Sequence, residues 1–235
     1  MTLKLSPSRV LKYDDCPAAY RFQYVAGLKP LESSASLVFG SAVDTALTGY
    51  LLARVAGSAF DPVAAFRNTW RQATETQAIR YSSTLGPEDL AGMGEVLCRR
   101  FPAVWGETGL VPLLDEQGPV VQRRFETEVA AGIVLVGIPD VVAMTGDGEV
   151  VVVDIKTASH PAPEGFVESS DQLTAYQLLV ESHAEALGLE QVAALGFMEL
   201  LKRKPTGRKG PEVWPPVLVA RRESAALEVF RQKLL

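Results

Sequence analysis

The sequence predicts an α/β fold in which helices flank a central mixed β-sheet. Three observations carry that expectation. Ile133–Met144 and Glu149–Thr157 read as apolar strands, joined through the turn Thr145-Gly146-Asp147-Gly148 into an antiparallel hairpin. Asp171 to about Leu187 reads as a helix and Val192–Leu201 as the next strand. A strand, helix, strand order implies a right-handed crossover and sets a parallel strand beside the hairpin. Ahead of these, residues 1–118 are mainly of helical period. The 235 residues are therefore expected to form a single domain around one core, with a mainly helical N-terminal region (1–118) and an α/β core with a closing helix (119–235).

Composition narrows the function classes. A net charge of −5 argues against a generally basic nucleic-acid coat, but acids gathered at one site can coexist with a local basic groove. Two cysteines, Cys16 and Cys98, are too few for a disulfide framework and lack zinc-site spacing, which fits a reducing cytoplasm. No stretch is read as approaching the ~20 apolar residues that span a membrane. No membrane partner is expected, and the expected location is cytoplasmic.

In chain order, Ser6 is placed to cap a helix with Pro7 at its first position. Tyr13, Tyr20, Phe22 and Tyr24 then either pack a pair of short amphipathic helices into the core, or Ser8, Arg9 and Arg21 touch phosphate from a helix N-terminus. Leu37, Phe39, Val43, Leu47, Tyr50 and Leu51 have helical spacing, with Gly40, Ser41 and Ala42 permitting close packing. Asp44 interrupts that apolar helix, either as a solvated residue or as an acid reaching a metal centre. Asp61-Pro62 and Gly86-Pro87 start further helices, with Trp70 and Leu90 in the core. Gln122–Val129 reads as the first strand, its Glu128 turned to the site or to solvent.

The hairpin carries the chemistry. Side chains alternate along a strand, so Asp154 and Lys156 share one face and Ile155 takes the other. A register that sets Asp140 opposite that face adds a second carboxylate. An exposed ion pair on a solvated sheet is the plain alternative. Four valines before Asp154 predict burial on both faces, however, and a buried carboxylate is costly unless paired or bound to metal. Two acids beside an ammonium suit a hard divalent cation such as Mg²⁺. Beyond the hairpin, Ser169-Ser170-Asp171 caps the helix, and Gln172 and Tyr176, four apart, project from one face. Lys202, Arg203, Lys204, Arg208 and Lys209 make the one dense basic segment, either a solvated loop or a clamp on nucleic-acid phosphates. Glu212–Ala220 suits an edge strand limited by Pro215 and Pro216, and Glu223–Leu235 a closing amphipathic helix.

Five blocks resemble the RecB-type branch of the PD-(D/E)XK nuclease superfamily, over nearly the whole chain. They are Leu5-Ser6-Pro7-Ser8-Arg9 with Cys16-Pro17 and Tyr20; Phe39-Gly40 through Asp44; Gly137-Ile138-Pro139-Asp140; Val153-Asp154-Ile155-Lys156-Thr157; and Asp171-Gln172 through Tyr176. The resemblance implies a restriction-endonuclease-like core and a divalent-metal-dependent deoxyribonuclease, of exonuclease type, active in DNA repair, recombination, phage or CRISPR-related processing. A helicase, recombinase or adaptation complex would be its partner. It also implies that Asp140, Asp154 and the Ile155 carbonyl hold Mg²⁺ or Mn²⁺, that Lys156 serves the attacking water, and that Gln172 and Tyr176 position lysine or DNA. Two departures stand out. Asp44 occupies a place where the branch carries histidine, and two cysteines exclude a four-cysteine iron-sulfur cluster within this chain. The competing reading is an inactive nuclease fold kept as a DNA-binding or scaffolding module.

Overall fold

The computed structural model describes residues 2–207 and 209–235. Strand β1 (Leu3–Leu5) leads into helix α1 (Pro7–Asp15), where Ser6 accepts the Arg9 amide as N-cap and Pro7 opens the first turn. A short helical turn (Pro17–Tyr20) and a π-helical turn (Arg21–Val25) follow. Three longer helices come next: α2 (Ala35–Val55) capped by Ser34, α3 (Pro62–Thr76) capped by Asp61, and α4 (Pro87–Glu107). The sheet region holds β2 (Phe125–Ala130), β3 (Ile133–Gly137), β4 (Val141–Met144) and β5 (Val150–Ala158). Helix α5 (Asp171–Glu181), capped by Ser170, then leads to β6 (Ala194–Leu201), β7 (Val217–Ala220) and α6 (Ser224–Lys233).

The main sheet is mixed, as expected. β5 runs antiparallel to β4, with Val153 opposite Val141, and parallel to β6, with Asp154 opposite Phe197. The pair Val111–Pro112 closes the β4 edge, while Glu212–Val213 and β7 both pair with β6. A second sheet has the order β1-β3-β2, with β1 parallel to β3.

Several boundaries differ from expectation. Ile133–Met144 is two strands in two different sheets, because Pro139 has no amide to continue a ladder. The chain leaves the smaller sheet at Gly137, turns through Ile138-Pro139-Asp140, and enters the main one at Val141. The strand expected from Gln122 begins only at Phe125, because Gln122 is the one non-glycine residue of positive φ (50°) among the described residues. Helix α5 stops at Glu181, where Ser182 Oγ donates to Leu179 O at 2.8 Å and competes with the helical ladder. Trp214, Pro215 and Pro216 split the expected Glu212–Ala220 strand into two pieces on β6.

Instead of one core there are two, one on each face of the main sheet. Val151 and Val153 pack with Phe39, Leu47, Phe66, Phe101 and Trp105 of the long helices. Val150 and Val152 pack with Leu173, Leu179, Phe197 and Phe230 on the face covered by α5 and α6. Continuous burial of Val150–Asp154 follows from this sandwich. Two expectations fail on the helical side. Tyr13 and Phe22 stay 55% and 58% exposed rather than entering a core, and the half-buried Tyr20 meets Tyr13 edge-to-face and Tyr24 at a tilt. Helix α2 is long and apolar enough to cross a membrane by length and composition, with an 18-residue window of mean hydropathy 1.3. Here it is a core helix, with Phe39, Ala42, Val43, Ala46, Leu47 and Leu51 buried.

Gly137 makes the closest demand on residue type. A Cβ there would stand 2.5 Å from Leu179 Cδ1 and 3.1 Å from Tyr176 Cε1, so α5 lies on β3 only because position 137 has no side chain. Gly137→Ala should destabilise the fold by about 1–3 kcal/mol, the usual cost of overpacking. Urea unfolding reads this as a lower midpoint with an unchanged slope, and a parental midpoint would show that Leu179 has room to move.

Candidate active site

The β4–β5 register, extended by one residue, sets Asp140 beside Asp154. Asp140 is not itself in the ladder. Its Oδ2 accepts the Ile155 amide at 2.6 Å, so the carboxylate takes the place of a backbone carbonyl at the end of the strand pair. Asp154 is 2% exposed on the α5 side, where Gln172 Nε2 donates to its Oδ1 at 3.0 Å and to Tyr176 Oη at 2.9 Å. Lys156 lies two residues along on the same face, as alternation requires. Its Nζ is 2.6 Å from Asp154 Oδ2 and 5.4 Å from the Phe197 ring centroid. Ile155 points to the other face and packs against the long helices.

Asp44 reaches the same cleft from α2. Gly40, one turn earlier, allows the close approach, since a Cβ there would meet Thr157 Oγ1 at 3.3 Å. Gln122 joins the acids: its Nε2 donates to Asp44 Oδ1 at 2.8 Å and to Asp140 Oδ1 at 2.6 Å, and its amide donates to Asp140 O at 2.9 Å. The left-handed backbone at Gln122 is the strain that puts its side chain between them. Sequence reading missed this residue, since a glutamine before a strand carries no mark of positive φ.

Burial sets the electrostatics. It pushes the Asp140 pKa well up, and the Asp154 and Asp44 charges add to the effect. Burial also raises Asp154, against the opposing pull of Lys156, and raises Asp44, with Asp154 contributing. The Tyr176 hydroxyl is held neutral by burial and by Asp154.

The cleft, about 600 Å³, is lined by Asp44, Asp140, Asp154, Ile155, Lys156, Gln172 and Tyr176, together with Ser8 at its rim. Asp154 Oδ2 is buried, and the Lys156 ammonium at 2.6 Å is its close partner. Buried carboxylates gathered with a backbone carbonyl are the hard oxygen donors that suit a divalent cation. Among the described residues, no three acidic, histidine or cysteine side chains converge as a preformed metal cluster.

The other residues singled out in the sequence lie outside this cleft. Arg9 donates to Lys4 O at 2.6 Å and covers the Tyr24 ring at 4.7 Å, while Arg21 is exposed. The basic segment is not one free loop. Lys202 is buried, Arg203 is 3.5 Å from Glu212, Lys204 is 3.0 Å from Asp89, and Lys209 is exposed. Arg208 lies outside the described residues. Glu128 holds the β2–β3 turn by accepting the Gly132 amide at 2.9 Å.

A family model described as the PD-(D/E)XK nuclease superfamily matches residues 4–234. No curated protein matches the chain. Among solved structures it is similar to one described as "Crystal structure of SSO0001", at 10% identity, covering 91% of this chain and 80% of that one with a TM-score of 0.36, a likeness that carries no weight for fold or function.

The raised acids give a pH signature. A carboxyl whose folded pKa exceeds its unfolded one stabilises the fold below the unfolded value, and that contribution is lost as pH rises through the folded value. Asp140→Asn removes the titration while keeping an oxygen for the Ile155 amide. Without divalent ions, the variant should gain on the parent as pH rises from the ordinary carboxylate range, by on the order of 1 kcal/mol for each unit of elevation removed. Paired unfolding curves from pH 4 to 8 check this, and a constant difference would remove Asp140 as a strained buried acid.

Proposed function

Because the chain belongs to the PD-(D/E)XK nuclease superfamily, we propose that it hydrolyses phosphodiester bonds in DNA, from strand ends, with a divalent ion held by Asp140, Asp154 and the Ile155 carbonyl. The observation that carries this reading is the buried pair of carboxylates Asp140 and Asp154 with Lys156 alongside. Nuclease-type function follows from the family, whose members generally use divalent metals such as Mg²⁺. The DNA substrate, the exonuclease mode, Mg²⁺ or Mn²⁺ as the ion, the RecB-type branch and the absence of an iron-sulfur cluster belong to the proposal.

When bound, the ion supplies positive charge that lowers the pKa of water and offsets the charge developing on phosphate. The chain's own groups then have separate tasks. Asp154 is fixed by Gln172 Nε2 on Oδ1 and has the Lys156 ammonium against Oδ2. Asp140 is fixed by the Ile155 amide on Oδ2 and by Gln122 on Oδ1. Lys156 Nζ, held at Asp154, orients the attacking water and counters phosphate charge. Tyr176 and Gln172 keep this face rigid, consistent with the need to hold reacting groups within a fraction of an ångström. Ser8 at the rim, Arg9, Arg21 and the basic residues Arg203, Lys204, Arg208 and Lys209 are proposed to meet the DNA backbone outside the cleft, and a helicase, recombinase or adaptation complex to present the DNA.

An inactive scaffold is the second reading, and the retained Asp140, Asp154 and Lys156 weigh against it. Lys156→Ala should lower cleavage at least 100-fold with DNA binding nearly unchanged, since the ammonium serves the reacting water. The assay is release of labelled nucleotides from linear and circular, single- and double-stranded DNA in Mg²⁺ or Mn²⁺, with a chelator control. Binding by the parent without metal-dependent cleavage would establish the scaffold.

Asp44→Ala should raise the metal concentration required for half-maximal cleavage about tenfold. Asp44→His should retain activity and shift preference toward ions that favour imidazole, such as Mn²⁺, Co²⁺ or Ni²⁺. Three superimposable metal-dependence curves would take Asp44 out of the site.

A further inference from the structure

Lys202 behaves unlike its basic neighbours. It follows β6 directly, its amide donates to Ala158 O at 2.8 Å, and it is only 6% exposed. Arg203 and Lys204 each face a carboxylate, whereas among the described residues the Lys202 ammonium has no ion pair or hydrogen bond. Its nearest electrostatic neighbour is the Phe39 ring, with the centroid 5.4 Å from Nζ. A partly desolvated cation without a counter-ion is disfavoured, and one ring face offsets little of that cost.

The ammonium opens into a cavity of about 410 Å³ beside the metal cleft. Its walls include Ser34 and Ser36 at the N-terminus of α2, Arg80, Tyr81 and Ser159, with no acidic residue among the lining side chains. Helix α2 is 21 residues long, so its N-terminal end adds the positive pole of a full helix dipole. A cation, hydroxyl donors and a helix N-terminus together select an oxyanion. Ser36 lines both this cavity and the cleft that holds Asp140 and Asp154. From Ser36 to Asp44 along α2 is about 12 Å of helix rise. That is a few nucleotides of a strand advancing about 3.4 Å per nucleotide.

We propose that this cavity is a second phosphate subsite of the substrate strand, in which Lys202, Arg80 and the first turn of α2 hold a backbone phosphate a few nucleotides from the scissile bond. The proposal rests on the DNA-hydrolysis reading of the neighbouring cleft. It explains why an unpaired lysine is kept buried: the counter-ion arrives with the substrate.

The test compares the parent with Lys202→Met, which keeps the apolar stem, and Lys202→Arg, which keeps the charge. With a chelator present to prevent cleavage, binding of a labelled single-stranded decanucleotide is measured over a salt series, and inorganic phosphate binding is followed by phosphorus NMR. Lys202→Met should bind the decanucleotide about tenfold more weakly, lose about one released counterion from the salt slope, and lose the phosphate response. Its melting temperature should be equal to or above the parent's, since no stabilising partner is removed. Lys202→Arg should restore binding. Loss of the phosphate response with strand affinity and slope intact would overturn the proposal, because the anion site would then lie off the strand's path. Parental behaviour of Lys202→Met in a parent that cleaves DNA would overturn the proposal alone. A parent that neither binds nor cleaves DNA would overturn the nuclease reading with it.

Discussion

The hydrogen bond from the Ile155 amide to Asp140 Oδ2 is the contact on which the rest of the site depends. It lets one carboxylate end a strand pair and lie buried beside a second carboxylate without breaking the sheet. Two acids in that position repel each other and lose hydration, so the surrounding residues are those that reduce the cost. Gln122 donates to Asp140 and Gln172 to Asp154, and Lys156 sits against Asp154. The turn at Ile138-Pro139 has the same origin: a continuous β3–β4 strand would have given residue 140 an ordinary ladder partner in place of a side-chain role.

The two cores hold this arrangement from opposite sides. Val151 and Val153 tie β5 to the long helices, which brings Asp44 in on α2. Val150 and Val152 tie it to α5, which brings in Gln172 and Tyr176. Both helices cross close to a glycine, Gly40 on α2 against Thr157 and Gly137 under α5 against Leu179 and Tyr176. Glycine within these motifs is therefore a packing requirement imposed by the chemistry beside it.

Much of this was legible in the sequence because the signals were periodic. Alternation along β5 placed Asp154 and Lys156 on one face, the hairpin turn set the register that delivers Asp140, and the four-residue spacing paired Gln172 with Tyr176. The cap and proline signals at Ser6, Asp61 and Ser170 gave the helix starts. What stayed hidden depends on tertiary contacts. The switch of sheet at Pro139, the left-handed Gln122 and the burial of Lys202 are decided by neighbours distant in the chain. The exposed Tyr13 and Phe22 misled in the opposite direction, since aromatic content alone predicts burial and says nothing of whether a second layer covers it.

Gln122 also accounts for the aspartate at position 44. One amide nitrogen donating to Asp44 and Asp140 holds two acids that would otherwise drive each other apart, and it can do so only if both partners accept. A histidine at 44 would compete as a donor through one ring nitrogen and would meet the amide well only through the other. On the proposed reading of the site, an aspartate at 44 would add an oxygen donor, which suits cations that prefer carboxylate and water to imidazole. The strained backbone at Gln122 is held from two sides, by its side chain and amide on Asp140 and by its side chain on the acceptor at position 44.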